Sequence, residues 1–144
     1  MDNVEISTDV SRLDIELIHR FLSLHSYWAK GIPLETVQRS IENSLCFGVY
    51  VNEEQVGFAR LITDKATFAY LADVFILPDH QGKGLAGKLM VSIQSHRDLH
   101  GLRRWVLATA DAHGLYEQFG FRPLSQPDRF MEIRNPEVYR RSDL

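Results

Sequence analysis

Between Asp73 and Met90 the chain reads Asp-Val-Phe-Ile-Leu-Pro-Asp-His-Gln-Gly-Lys-Gly-Leu-Ala-Gly-Lys-Leu-Met, an apolar β-type run that turns through glycines into a helical pattern. Gly82, Gly84 and Gly87 occupy three positions of six, with Lys83 and Lys88 among them. Such a turn suits an anion. The first amides of a helix lack intrahelical acceptors, the helix dipole is positive there, and glycine lets a phosphate reach the main chain. A ligand-free strand-to-helix turn would not need glycine so often. Gly82 to Gly87 also spells the dinucleotide fingerprint G-x-G-x-x-G, but that fingerprint closes the first strand of a parallel βαβ unit, and here some 80 residues precede it. Gly82 to Lys88 spells G-x-x-x-x-G-K, yet Leu89 stands where a nucleoside-triphosphate loop needs Ser or Thr for Mg²⁺.

Other residues could also carry chemistry. Asp73 is a lone acid in a stretch otherwise apolar from Phe68 to Leu77, and it needs a partner, such as Arg60, or a purpose; Tyr70 could share its face. Tyr27 and Trp28 are adjacent aromatics in a loop, which either cap the core or wall a pocket. Asp111 and His113 sit close before Tyr116, and Asp111 could equally cap the helix that carries it. His96 and His100 have the four-residue spacing of metal ligands but lack an intervening Glu and a third ligand, so no metal is expected. Cys46, beside Phe47, reads as a small apolar core residue.

The elements that must position these groups follow from periodicity. Asn3 to Thr8 alternates as a short strand. Leu13, Leu17, Ile18, Phe21 and Leu22 recur at helical spacing behind Ser11 as N-cap, and Leu34, Val37 and Ile41 mark a second helix. Leu45 to Val51 and Gln55 to Thr63 form a hairpin about Asn52-Glu53-Glu54, followed by a strand from Thr67 to Leu77. Gly84 to about Asp98 is helical, Arg104 to Thr109 a strand, and His113 to Gln118 a short helix. Phe121 to about Ile133 is expected to hold one or two final strands. An antiparallel meander followed by a βαβ crossover predicts an α/β fold: a mixed, mostly antiparallel sheet with helices on both faces.

At 144 residues this is expected to be one domain spanning 1–144. A composition 44% hydrophobic and 24% charged excludes disorder and fibrous repeats. No apolar run approaches a membrane span, and the N-terminal stretch carries acids, so no membrane partner is expected. A single cysteine points to a reducing cytoplasm. The net charge of −3, without a basic run, argues against nucleic acid.

One resemblance covers this neighbourhood as a whole. Gln81-Gly82-Lys83-Gly84-Leu85-Ala86 fits Q/R-x-x-G-x-G/A after a strand ending Val74-x-Ile76-x-Pro78, and Leu115-Tyr116-Glu117-Gln118-Phe119-Gly120-Phe121 follows about 30 residues later. The combination resembles the GNAT superfamily of N-acetyltransferases. The resemblance implies acetyl-CoA as cosubstrate, its pyrophosphate held by main-chain amides from Gln81 to Ala86, with the side chain of Gln81 bracing the loop. It implies a bulged strand splayed from its parallel neighbour, with the pantetheine arm along the main chain of Val74, Phe75 and Ile76 and the amide of Val74 at the thioester carbonyl. It implies Tyr116 as the general acid for the leaving thiolate. Thr109 stands where many members carry an asparagine, and offers a hydroxyl in place of the amide.

In that reading an ammonium must lose a proton before it attacks, and Asp73 is placed as base or amine-binding anion. Tyr27, Trp28, Tyr70 and Asp111 are the acceptor-side candidates. The expected function is acetyl transfer to an amine of a small molecule, with a peptide amine also open. The competing readings are a non-catalytic acyl-CoA-binding domain of the same fold and, behind it, a nucleotide-binding module. A homodimer paired through the C-terminal strands is compatible with the pattern.

Overall fold

In the computed structural model, which describes residues 2–140, the chain begins with β1 (Val4–Ser7) and a 3-10 turn at Val10–Arg12. Next come α1 (Ile15–Arg20), continued by a π-helical turn at Phe21–His25, and α2 (Leu34–Glu42). The sheet continues with β2 (Leu45–Val51), β3 (Glu54–Thr63) and β4 (Phe68–Ile76). Then follow α3 (Leu85–Ser95), β5 (Arg104–Leu107) and α4 (His113–Glu117).

The expected N-cap at Ser11 is not the one used. Asp9 Oδ1 takes both the amide and the hydroxyl of Ser11, at 3.0 and 2.7 Å, which winds the 3-10 turn. Asp14 then accepts the amide of Leu17 and starts α1 three residues later. The β2–β3 hairpin closes on Asn52 and Glu53, both at positive φ (50° and 72°), the backbone of a two-residue turn whose twist matches the strands.

The sheet has the order β1-β2-β3-β4-β5, antiparallel throughout except for the parallel pair β4–β5 joined by the α3 crossover. Side chains alternate between two apolar layers. Ile18, Leu22, Val37 and Ile41 from the first helices meet Cys46, Phe58 and Phe75 on one face. Leu85, Leu89, Met90 and Ile93 of α3, with Tyr116 of α4, meet Phe47, Val49, Leu61, Ala69 and Leu71 on the other. This is the mixed, mostly antiparallel sheet with helices on both faces that the periodicity predicts.

The final strands expected between Phe121 and Ile133 do not form. The segment holds only a 3-10 turn at Pro127–Arg129, and Met131 and Ile133 are 95% and 102% exposed. Pro123 and Pro127 break the run, and a strand exists only where a neighbour completes its hydrogen bonds. Among the described residues none does so, which leaves β5 as a sheet edge.

Leu89 is fully buried on α3 and anchors the helix that follows the glycine turn. Leu89→Ala is expected to destabilise the fold by about 2–5 kcal/mol, read from the midpoint of urea unfolding.

Candidate active site

The site starts from an irregularity in β4. Arg60 pairs with Ala72 and Phe58 with Phe75, so Asp73 and Val74 together face the single residue Ala59. This is a β-bulge, and Asp73 adopts φ 55° within it. A left-handed conformation is costly for a residue with a Cβ, and Asp is among the few that tolerate it. Two neighbours hold it there. Arg60 Nε donates to Asp73 Oδ2 at 2.8 Å and Trp28 Nε1 donates to Oδ1 at 2.7 Å. Both charged side chains are shielded, at 16% and 8% exposure. Arg60 also donates to Ser44 Oγ, so the pair is anchored to the start of β2.

Beyond the bulge β4 leaves its neighbour. Parallel pairing runs from Phe68–Arg104 to Leu71–Leu107 and stops, while β4 continues to Ile76. The splay opens a cleft of about 600 Å³. It brings together Tyr27, Trp28, Tyr70, Asp73, Val74, Thr109, Asp111 and Tyr116. Phe75 and Ile76 turn their side chains into the two cores, with Phe75 stacked on Phe21 at 4.0 Å between ring centroids, so only their main chain is offered at this edge.

Gln81 to Ala86 lie outside the cleft, past the end of the part of β4 that pairs with β3 but not with β5. The two regions are tied by Gln81, whose Nε2 donates to the carbonyl of Ile76 at 2.9 Å. Gly82 and Gly84 have φ of 78° and 77°, and a Cβ at either would meet nothing within 4 Å. These positions are glycine because of backbone conformation, and the space above them is open. Gly84 is the N-cap of α3 and supplies no side-chain cap. The first amide with an acceptor inside the helix is Lys88, which donates to Gly84 O at 3.2 Å. The amides before it on α3 have no intrahelical acceptor, the kind of donor set an anionic phosphate needs. Leu85 is packed in the core and fixes the helix beneath them.

Tyr116 projects from α4 with 8% exposure. Burial, reinforced by Tyr27 and Asp111 nearby, pushes its phenol up to about 12. The hydroxyl therefore keeps its proton throughout the neutral range. Thr109 Oγ1 accepts the amides of Ala112 and Asp111 at 3.1 and 3.4 Å, which sets the turn into α4. α4 has Ala112 as N-cap and no side-chain cap, so Asp111 does not cap it, and its side chain is left exposed. Tyr27 and Trp28 wall the cleft and span its mouth. The Tyr27 hydroxyl accepts the amide of Ala110 beyond β5, while Trp28 reaches Asp73 on β4.

Tyr139 also lines the cleft and packs beside the α1–α2 link, with its backbone carbonyl 3.5 Å from where a Cβ on Gly31 would lie. Sequence reading missed it, because nothing in its neighbourhood ties it to residues a hundred positions earlier. Cys46 is buried and burial pushes its thiol up to about 12, which suits a core residue. His80, in the turn after β4, is half-buried, and its Nδ1 has no hydrogen-bond partner among the described residues. The pair His96 and His100 serves structure in part: His96 Nδ1 accepts the amide of Asp98.

Comparison with known proteins bears on this geometry. The family described as "Acetyltransferase (GNAT) domain" matches residues 42–123, which run from the end of α2 through the bulge, the glycine turn and Tyr116. The chain belongs to the GNAT acetyltransferases. Members of this family use acetyl-CoA. A Gibberella zeae protein carrying an acetyltransferase name is 37% identical over 133 residues, 77% of this chain and 74% of its own. A crystal structure from Xanthomonas campestris pv. campestris, assigned to the same GNAT family, shares 56% identity with a TM-score of 0.93 and covers 96% of this chain and 97% of that one. The fold is also similar, at 19% identity and a TM-score of 0.63, to N-acetylglutamate synthase from Neisseria gonorrhoeae solved with coenzyme A and N-acetyl-glutamate, covering 88% of this chain and 30% of that one. Among the described residues of this GNAT chain no helix is long and apolar enough to cross a membrane, and no group of three metal-ligating side chains converges.

The Arg60–Asp73 pair can be tested by stability alone. Asp73→Ala leaves a shielded guanidinium without its carboxylate and is expected to cost about 3 kcal/mol or more in urea unfolding. Asp73→Asn, whose amide oxygen still accepts from Arg60, should cost less.

Proposed function

We propose that the chain transfers the acetyl group of acetyl-CoA to the amine of a small molecule, by direct attack with both substrates bound. The observation that carries this reading is the continuity of three features: an open amide cradle at the start of α3, an unpaired main-chain edge on the bulged part of β4, and a proton-holding phenol across the splay. Acetyl-CoA supplies a carbonyl activated as a thioester.

The residues present fit that group. The amides at Gly82 to Ala86 bind the pyrophosphate and Lys83 adds field. Main-chain groups of Val74, Phe75 and Ile76 hold the pantetheine arm as an added strand, and Thr109 lines the opposite wall. The amide of Val74 donates to the carbonyl oxygen, where negative charge develops. Tyr116 Oη gives its proton to the departing sulfur. Asp73 contributes its negative charge. Its oxygens already accept from Arg60 and Trp28, so removal of the ammonium proton falls to water at the cleft mouth beside exposed Asp111. Tyr27, Trp28 and Tyr70 offer aromatic walls, which with Asp111 favour a cationic acceptor. The whole span 1–144 acts as one domain, and the lone buried Cys46 suits a cytoplasmic setting.

Calorimetric titration with acetyl-CoA, CoA, NAD and ATP tests the donor. Saturable binding of the two CoA forms alone is expected, and a folded sample that binds neither sinks the reading. For the acid, Tyr116→Phe is expected to lower kcat about 100-fold with acetyl-CoA affinity unchanged. A phenol acts as an acid only while protonated, and burial moves its deprotonation upward from an ordinary value near 10 to about 12. The loss should therefore be uniform across roughly pH 7 to 9. Unaltered turnover in the variant removes Tyr116 from the mechanism.

A further inference from the structure

We propose that Tyr27 and Trp28 are positioning residues that brace β4 against the chain leaving β5, an inference that rests on the acetyl-transfer reading for what fills the gap between them. The brace fixes the separation of the two parted strands, and with it the spacing of the groups that act on the thioester.

The sheet itself leaves that separation undetermined. β4 and β5 are paired as far as Leu71 and Leu107, and beyond these residues no ladder joins them. Strands that have parted keep a fixed spacing only if something else spans them. Catalysis needs that spacing. Reacting groups must be held to within about 0.5 Å, and an error of about 1 Å can cost about 100-fold in rate.

Two side-chain hydrogen bonds lie where the ladder has ended, one on each side of the gap. The amide of Ala110, beyond Leu107, donates to Tyr27 Oη at 2.9 Å. Trp28 Nε1 donates at 2.7 Å to Oδ1 of Asp73, beyond Leu71. Tyr27 and Trp28 are neighbours in sequence with their rings edge to face, 5.0 Å between centroids, so the two links form one span. On the β4 side the span continues from Asp73 to Arg60 and Ser44.

Burial does not hold these two side chains, which are 59% and 42% exposed. Their main chain is held instead. The hydroxyl of buried Ser26 donates to the carbonyl of Leu22 at 2.7 Å and accepts the amide of Ala29 at 3.0 Å. The amide of Gly31 donates to the carbonyl of Ser23 at 3.0 Å. Tyr27 and Trp28 thus project from a closed turn. A wall for a ligand needs only the rings, whereas here the polar end of each side chain is spent on a different strand.

The two anchors adjoin the groups assigned to the reaction. Asp73 precedes Val74, whose amide is assigned to the thioester oxygen. Ala110 follows Thr109, which sets the turn into the helix bearing Tyr116. The span therefore relates the amide that meets the carbonyl oxygen to the phenol that meets the sulfur. The amide cradle of α3 lies outside it, so affinity for acetyl-CoA should not depend on the brace.

Tyr27→Phe and Trp28→Phe each keep an aromatic ring and remove one link. An amide nitrogen–proton spectrum of the free chain reads the brace without ligand or turnover. In Trp28→Phe the Ala110 amide should exchange at least about 10-fold faster, although its own acceptor on Tyr27 is intact. In Tyr27→Phe the indole N–H resonance of Trp28 should move, although Asp73 is untouched. With acetyl-CoA and benzylamine as the probe amine, each variant is expected to lower kcat about 10- to 100-fold and to change either KM less than about threefold. Links in series fail together, so the double variant should be no worse than the more impaired single one. The amide readout decides the brace whether or not benzylamine is turned over. An Ala110 amide unchanged in Trp28→Phe overturns it, as does a double variant whose loss is the product of the two single losses. A raised KM for benzylamine with kcat unaltered also overturns it and leaves the rings as walls. The expected amide changes in a chain that binds neither acetyl-CoA nor CoA support the brace and sink the acetyl-transfer reading alone.

Discussion

The structure depends on one ion pair in an unusual place. A carboxylate inside a strand of an apolar sheet costs free energy unless it is paired, and Asp73 is paired twice, with Arg60 and with Trp28. Those contacts hold two residues of β4 against one of β3. The resulting kink is what ends the parallel pairing after Leu71 and opens the space between the strands. The same side chain also ties down the α1–α2 link through Trp28, so the anion that bends the strand positions a wall of the cleft as well.

Around this kink the molecule offers main chain more than side chains. At the inner edge the part of β4 beyond Leu71 has no neighbour, and at the start of α3 the amides after Gly82 have no intrahelical acceptor. Unpaired donors in a rigid frame are a preorganised binding surface for a linear, phosphate-bearing ligand. Gly82 and Gly84 are required there by positive φ, and Leu85 and Leu89 fix the helix below. The phenol of Tyr116 is the exception, a side chain kept neutral by burial at the point where an acid is useful.

The outer edge of β5 presents the same physics in another setting. Backbone groups without partners bind a strand or face water, and among the described residues no strand pairs with this edge. The groove along this outer edge and the cleft at the inner one share Tyr116 as a lining residue.

What the sequence determined by itself was local. Alternation and β-forming residues marked the strands, Asn52-Glu53-Glu54 the hairpin turn (of which Glu54 belongs to β3), and the glycines with Gln81 the cradle, because periodicity and backbone conformation are properties of neighbouring residues. The order of motifs from Asp73 to Phe121 carried the family. Tertiary structure decided the rest. The sequence offered Arg60 as one partner for Asp73, and folding selected it; only folding showed that Trp28 is the second partner, that Thr109 and not Asp111 sets the turn into α4, and that Tyr139 returns to the cleft. The expectation of final strands failed for the same reason. Residues 129–134 have the composition of a strand, but a strand exists only when a second one completes its hydrogen bonds, and that partner is not encoded in the segment itself.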